Sequence, residues 1–359
     1  MKVLYLTKYF PPSRGGIEIL SKNICDFFHK KKVKVEVCSF SQNKTYVSNS
    51  NKYKINFFKT NFEFFSTPIS LKMMKFIFKN SKNFDYVHIH TPNPWSTICL
   101  LFSRYNNLII SWGSDIITQK YLKFFFSYFE NKLLIRSKKI ICLSKNYLSY
   151  SSDLKRHKKK IEIIPPLINY KKFLKRKKFK NRNIQLISIG RLVGYKNFET
   201  AIRAFKYLPN NYNLKIIGSG QLRENLIHLV NELKLNQRIK ILSNVNEKKK
   251  ILLLKNSDIF LMCSNSRAES FGIAILEAIS LGLPLIISNV KGSGMNDMII
   301  NNYNGYHFKT NSYHDCANKI LKITSNKKKL KKFSLNSEKI FKKKFSRDTI
   351  SKKLKLIYS

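Results

Sequence analysis

Short apolar, strand-like runs alternate with helical patterns along most of this chain, and that alternation constrains its fold more than any other feature. Residues 2–7, 33–40, 84–90, 107–111 and 138–142 read as strands. Helical patterns lie between several of them, for example at 17–29 and 120–135. Strand and helix in that order predict a parallel sheet with helices on both faces.

The order breaks at 163–183, IIPPLINYKKFLKRKKFKNRN, where two prolines and a dense basic run mark a linker. A second series then begins, with strand-like runs at 184–190, 213–220, 238–243, 258–264 and 284–288. From about 312 the chain is helical and Lys-rich, with no further strand series. The expected organisation is a first domain at 1–165, a basic linker at 166–183, a second domain at 184–335 and a helical tail at 336–359. Two doubly wound domains joined in this way create a cleft, and such sheets bind ligands at the carboxyl ends of their strands.

Composition narrows the function classes. The 68 basic residues against 20 acidic ones give a formal net charge of +48. Abundant Lys, Asn and Ile are what an A- and T-rich genome produces, so part of this charge is compositional. The remainder attracts nucleotides, anionic membranes or nucleic acid without choosing among them. Six cysteines, at 25, 38, 99, 142, 263 and 316, form no CxxC pair and have no His cluster near them. They read as small buried hydrophobes in a reducing cytoplasm and argue against a structural metal. No apolar run approaches the roughly 18 residues of a membrane span. MKVLYLTKYFPP lacks the apolar core and cleavage site of a signal peptide.

The stretch RAESFGIAILEAISLGLPLIIS, 267–288, keeps two acids, Glu269 and Glu277, among mostly apolar residues. A buried carboxylate without a partner is costly, so both reach solvent or something binds them. Ser270 is the expected N-cap of a helix starting near Phe271, with the N–H groups of Phe271, Gly272 and Ile273 open at its start. Such a terminus attracts anions, and Gly272 lets a phosphate approach the backbone. Glu269 then sits at the helix mouth and Glu277 about one and a half turns inside. A ligand with phosphate in the middle and hydroxyls at both ends fits this layout, as a nucleotide sugar does.

ESFGIAILEA resembles the E-x7-E signature of the retaining family-4 glycosyltransferases. SIGRLVGYKNFETAIRAF (188–205) is similar to that family's donor-phosphate segment, whose Arg and Lys correspond to Arg191 and Lys196. LKIIGSGQLRENL, the NVN turn and DIFLMCSNSRAESFG follow in the family's order. KYFPPSRGGIE resembles its first loop, IIPPLINYKKF its interdomain linker and NGYHF a late turn. The resemblance implies a GT-B fold: two Rossmann-like α/β domains facing a cleft, the C-terminal helix packing back on the first. It implies a cytoplasmic transferase moving sugar from a UDP- or GDP-sugar to a saccharide or lipid-linked acceptor in surface polysaccharide assembly.

It also implies roles. Glu277 accepts from the ribose hydroxyls and Glu269 from the transferred sugar. Arg191 and Lys196 neutralise the departing diphosphate, so neither metal nor cofactor is required. Gly15, Gly16, Gly190, Ser270, Phe271, Gly272 and Ile273 help to bind the donor. One departure stands out. Many members of that family carry a His just after the fifth strand, whereas here IISWGSDI places Trp112 and Gly113 there, followed by Asp115. Either His90 takes over, or the WGSD stretch manages with backbone and Trp112, or catalysis is impaired. The second is preferred, because the donor-side residues are complete.

Two segments, 57–84 and 120–139, interleave aromatics with lysines. They suit an anionic membrane interface as well as they suit a core with a solvated lysine face. The rival functions are a GT-B sugar-nucleotide epimerase and a basic nucleic-acid-binding protein. Against the latter, the lysines are dispersed and no helix-turn-helix, zinc-finger or RNA-recognition signature occurs.

Overall fold

The computed structural model describes residues 1–13, 15–116, 120–168 and 183–358, with the backbone alone for 120–125. The chain forms two compact units, Met1–Asn169 with Arg347–Ser359, and Tyr170–Ser346. Of the expected linker, residues 169–182 lie outside the described residues.

The strands of the first unit are β1 (Lys2–Leu6), β2 (Lys34–Ser41), β3 (Tyr46–Asn49), β4 (Lys54–Lys59), β5 (Phe62–Phe64), β6 (Thr67–Ile69), β7 (Tyr86–Thr91), β8 (Leu108–Trp112), β9 (Lys139–Cys142) and β10 (Ile161–Ile163). Eight of them form one sheet in the order β10-β9-β8-β7-β1-β2-β4-β3. All its pairings are parallel except that of the edge strand β3 with β4. β5 and β6 make a separate antiparallel hairpin. Successive strand residues alternate between faces. Leu4, Leu6, Val87, Ile89, Leu108 and Ile110 therefore pack on one side. Val3, Tyr5, Val37, Ile109 and Ile141 pack on the other.

The C-terminal helix Arg347–Ile357 completes that second face with Ile350, Leu354 and Ile357. Each such side chain contributes about 1.5–3 kcal/mol on burial. After it, Tyr358 reaches the sheet, where its hydroxyl hydrogen-bonds Nδ1 of His88 on β7. The expected return of the C-terminal helix to the first domain is what the structure has.

The second unit carries β11 (Ile184–Ile189), β12 (Tyr212–Ile217), β13 (Ile239–Leu242), β14 (Ile259–Met262), β15 (Leu285–Ser288) and β16 (Gly305–Phe308). They form one parallel sheet in the order β13-β12-β11-β14-β15-β16. The order reverses direction between β11 and β14, which is where open sheets of this type bind ligands. Helix Lys327–Ile340 and the turn Phe341–Phe345 belong to this unit, and the chain becomes extended at Ser346. All six cysteines are buried free thiols. No helix among the described residues is long and apolar enough to cross a membrane.

Candidate functional site

β11 and β14 are neighbours, with Leu186 opposite Ile259 and Ile187 opposite Phe260, so the loops leaving their carboxyl ends run side by side. The Asn265 N–H donates to the Tyr195 carbonyl at 2.9 Å and ties the two loops together. This brings Lys196 onto Glu269, whose Oε2 accepts from Lys196 Nζ and from Ser264 Oγ at 3.3 Å. Ser293 Oγ donates to the Glu269 carbonyl and fixes the backbone. Lys196 and Glu269 are each only 8% exposed. The lysine stem crosses Gly190, where an added Cβ would stand 3.2 Å from Lys196 Cε. Arg191 is exposed on the same loop, its guanidinium donating to the Tyr195 hydroxyl at 3.2 Å.

The helix after β14 starts later than expected. It spans Ile273–Ser280 and is capped by Gly272, not Ser270. The cause is backbone geometry. Gly272 adopts φ 85°, a left-handed conformation costly for any other residue. Its carbonyl takes the first helical bonds, from Ile275 at 2.9 Å and Leu276 at 3.2 Å. Ser270 is used elsewhere, its carbonyl accepting from Gly294 N–H at 2.8 Å. Of the three expected amides, only that of Ile273 lies in the helix. Phe271 and Gly272 form the turn before it, and the Phe271 ring is buried against Phe345.

Glu277 lies inside that helix, 4% exposed, and its Oε1 accepts from Lys250 Nζ at 2.7 Å. Lys250 also pairs with Glu247 at 3.0 Å. Burial pulls the Lys250 ammonium down, but the two carboxylates outweigh it, and its pKa stands above the usual lysine value. Sequence reasoning missed Lys250. It is the third lysine of Lys248–Lys250, and only the cap at Asn246, which accepts from Lys249 N–H at 2.9 Å, phases the helix so that position 250 faces inward.

The remaining expected residues lie in the first unit. His90, on β7, is 3% exposed, and neither ring nitrogen has a hydrogen-bond partner among the described residues. Burial pushes its pKa down to about 4, so the ring is neutral near pH 7. A Cβ at Gly113 would stand 2.9 Å from His90 Nε2 and 2.7 Å from the Thr91 carbonyl oxygen. Gly113 thus has no room for a side chain, and the His90 ring occupies part of that space. Asp115 Oδ1 accepts from Trp112 Nε1 at 2.9 Å and from Ser151 Oγ at 2.8 Å. Gly15 caps helix Gly16–Lys30, and the Glu18 carboxylate folds over it so closely that a Cβ would meet it. Arg14 in the same loop lies outside the described residues.

Comparison with known proteins agrees with this architecture. Residues 14–172 match Glycosyltransferase Family 4, and residues 169–340 match Glycosyl transferases group 1. The chain is 24% identical over 368 residues to the O-antigen chain mannosyltransferase C of Escherichia coli, covering 97% of this chain and 95% of that protein. It is 31% identical over 193 residues to the Escherichia coli UDP-Gal:alpha-D-GlcNAc-diphosphoundecaprenol alpha-1,3-galactosyltransferase, covering 47% of this chain and 46% of that one. The solved sucrose-phosphate synthase of Thermosynechococcus elongatus superposes with a TM-score of 0.84 at 17% identity, over 99% of this chain and 98% of that one. This chain thus joins a Glycosyltransferase Family 4 domain to a Glycosyl transferases group 1 domain, and its fold is the GT-B fold of two Rossmann-like domains.

Proposed function

We propose that this glycosyltransferase moves a sugar from a nucleoside diphosphate donor to a saccharide or lipid-linked acceptor, with retention of anomeric configuration and without a metal. The observation that carries the reading is the buried Lys196–Glu269 pair at the carboxyl ends of β11 and β14, beside Gly190. An ammonium has three donors. One holds Glu269, and the others are available to the diphosphate as its charge grows on departure. Arg191 on the same loop adds a second cation, so two fixed charges supply the electrostatic stabilisation of the leaving group.

Glu269 accepts from hydroxyls of the transferred sugar. Glu277, oriented by Lys250, accepts from the ribose. Gly190 and the Phe271–Gly272–Ile273 turn admit the phosphates to the backbone, with Ser270 beside them. From the first unit, this reading assigns His90 and the loop at Gly15 and Gly16 to the site. The relatives' names, an O-antigen mannosyltransferase and a transferase acting on a diphosphoundecaprenol-linked sugar, support a role in surface polysaccharide assembly. The setting is the inner face of the cytoplasmic membrane.

Thermal denaturation with UDP, GDP, ADP, CMP and a short DNA duplex tests the donor site. At about 100 times its dissociation constant a ligand stabilises by roughly 2.7 kcal/mol. One diphosphate should raise the midpoint and Glu277→Ala should abolish the rise. A shift with DNA alone would overturn the reading. Turnover without added acceptor, giving an epimerised sugar nucleotide, would favour an epimerase instead. Retention is read from the anomeric coupling of the product, and metal independence from unchanged turnover in chelator.

A further inference from the structure

Of the aromatic-rich segment 57–84, the structure buries one part and exposes another. Phe57 and Phe58 on β4, with Met73 and Ile77 on helix Leu71–Asn80, are core residues. Phe62, Phe64 and Phe65 are not. They are 57%, 58% and 55% exposed, and all three belong to the β5–β6 hairpin that stands outside the main sheet.

The hairpin turn is Phe65-Ser66, between Phe64 and its partner Thr67. Both turn residues have positive φ, 45° and 58°, which is the type I′ pattern usually filled by Asn-Gly. A bulky residue is strained there. Strain of this kind persists where structure or function over-determines it. The Phe65 ring lies 4.6 Å from that of the equally exposed Phe64, edge to face. Phe62 and Phe64, two residues apart, share one face of the ribbon, with Glu63 on the other. At the hairpin foot Leu71 is also exposed, its N–H donating to Asn61 Oδ1 at 3.0 Å. A contiguous exposed apolar tip of this kind marks an interaction site.

Charge says what the partner is. Lys44, Lys59 and Lys72 line one cavity with Asn61 at the hairpin foot. Lys8, leaving the carboxyl end of β1, donates its Nζ to the Ser66 carbonyl in the turn. The hairpin's one acid is Glu63. An apolar tip within a collar of ammonium groups complements an apolar layer beneath an anionic surface, which is an anionic lipid bilayer. A second copy of this chain would bring the same positive collar against it.

We infer that the hairpin at 61–70 inserts Phe62, Phe64 and Phe65 into the interfacial layer of an anionic bilayer, with the surrounding lysines on the headgroups. The hairpin follows the carboxyl end of β4, and Lys8 ties its turn to the loop after β1, at the same carboxyl-end edge as His90 near the end of β7. Docking there would bring that edge to the membrane surface, where a lipid-linked acceptor has its sugar. Only this last consequence rests on the function proposed above.

The test is co-sedimentation of the full chain with vesicles of phosphatidylglycerol and phosphatidylcholine in equal parts. Wild type should bind, less strongly as salt rises. F62S/F64S/F65S should bind roughly tenfold or more weakly, while keeping its thermal midpoint and any diphosphate-induced shift. In an otherwise intact chain, F64W should show blue-shifted emission on these vesicles and quenching by brominated acyl chains. Equal binding by the triple variant overturns the inference, as does an introduced indole that brominated lipid leaves unquenched. A lipid-free dimer lost in the triple variant, with vesicle binding unchanged, overturns it in favour of a second copy. If no diphosphate shifts the wild type while the vesicle results are as expected, the donor reading falls and the hairpin assignment stands.

Discussion

Lys250 Nζ sits 2.7 Å from Glu277 Oε1, with both side chains almost wholly buried, at 12% and 5% exposure. The acid singled out by its place in an apolar helix is held by a cation from the helix Glu247–Lys255. Removing one partner of a buried pair leaves an uncompensated charge, at a cost of about 3–5 kcal/mol. Lys250→Ala should therefore lower the urea-derived stability by that order. K250M/E277L, which removes both charges, should lose less than the sum of the single changes. Additive losses would show that the two side chains are not coupled.

Lys196 is tested by kinetics. If it stabilises charge on the departing diphosphate, Lys196→Ala should lower kcat by roughly 10²–10³-fold. Arg191→Ala, at an exposed position, should cost less. A change confined to KM for the donor would assign Lys196 to ground-state binding alone.

Gly113 stands where the fold has no room for a side chain. Gly113→Ala puts a Cβ against the Thr91 carbonyl and His90 Nε2, and overpacking of this kind costs about 1–3 kcal/mol. H90A/G113A should recover only part of this in thermal denaturation, because the carbonyl clash remains. Full recovery would mean that the imidazole alone excludes a side chain there.

The buried histidines of β7 set a pH dependence. Burial holds His90 down to about 4 and His88 down to about 3, with His90 adding to the effect on His88. Both values lie below the unfolded value near 6.5. Between these limits the unfolded state binds more protons, so stability rises with pH. It is fully present above about pH 6.5 and falls as the pH drops toward 4, by a few kcal/mol. Urea midpoints across this range should be flatter for His90→Asn than for wild type. Equal slopes would show that His90 is accessible and titrates normally.

The sequence made the central strands of both sheets legible because parallel strands buried on both faces are continuous apolar runs, as in β1, β7, β8, β11 and β14. β3, β5, β6 and β10 escaped it because short edge strands and hairpins carry the lysines and asparagines of any loop here. β4, KINFFK, was hidden because its second half, 57–59, opens the segment read as basic-aromatic. β16 was seen only as a turn, since GYHF offers too short a pattern. Lys196 and Glu269 were legible as chemistry, each named at a strand end. Their contact was not, because they are 73 residues apart and meet only when β11 and β14 pair.

What the sequence determined by itself was periodicity and residue type: alternating strands and helices, two acids in an apolar helix, a cation after a strand. Those are local properties, fixed by burial on a sheet or helix face. The tertiary structure alone decided which charges pair, where a helix begins and which aromatics stay in water. Each depends on what lies across from a residue in space. Gly272 caps its helix because the turn there needs φ 85°. Lys250, not Lys248 or Lys249, neutralises Glu277 because one helix phase brings it inward. Phe57 is core and Phe62 is exposed because β4 leaves the sheet between them.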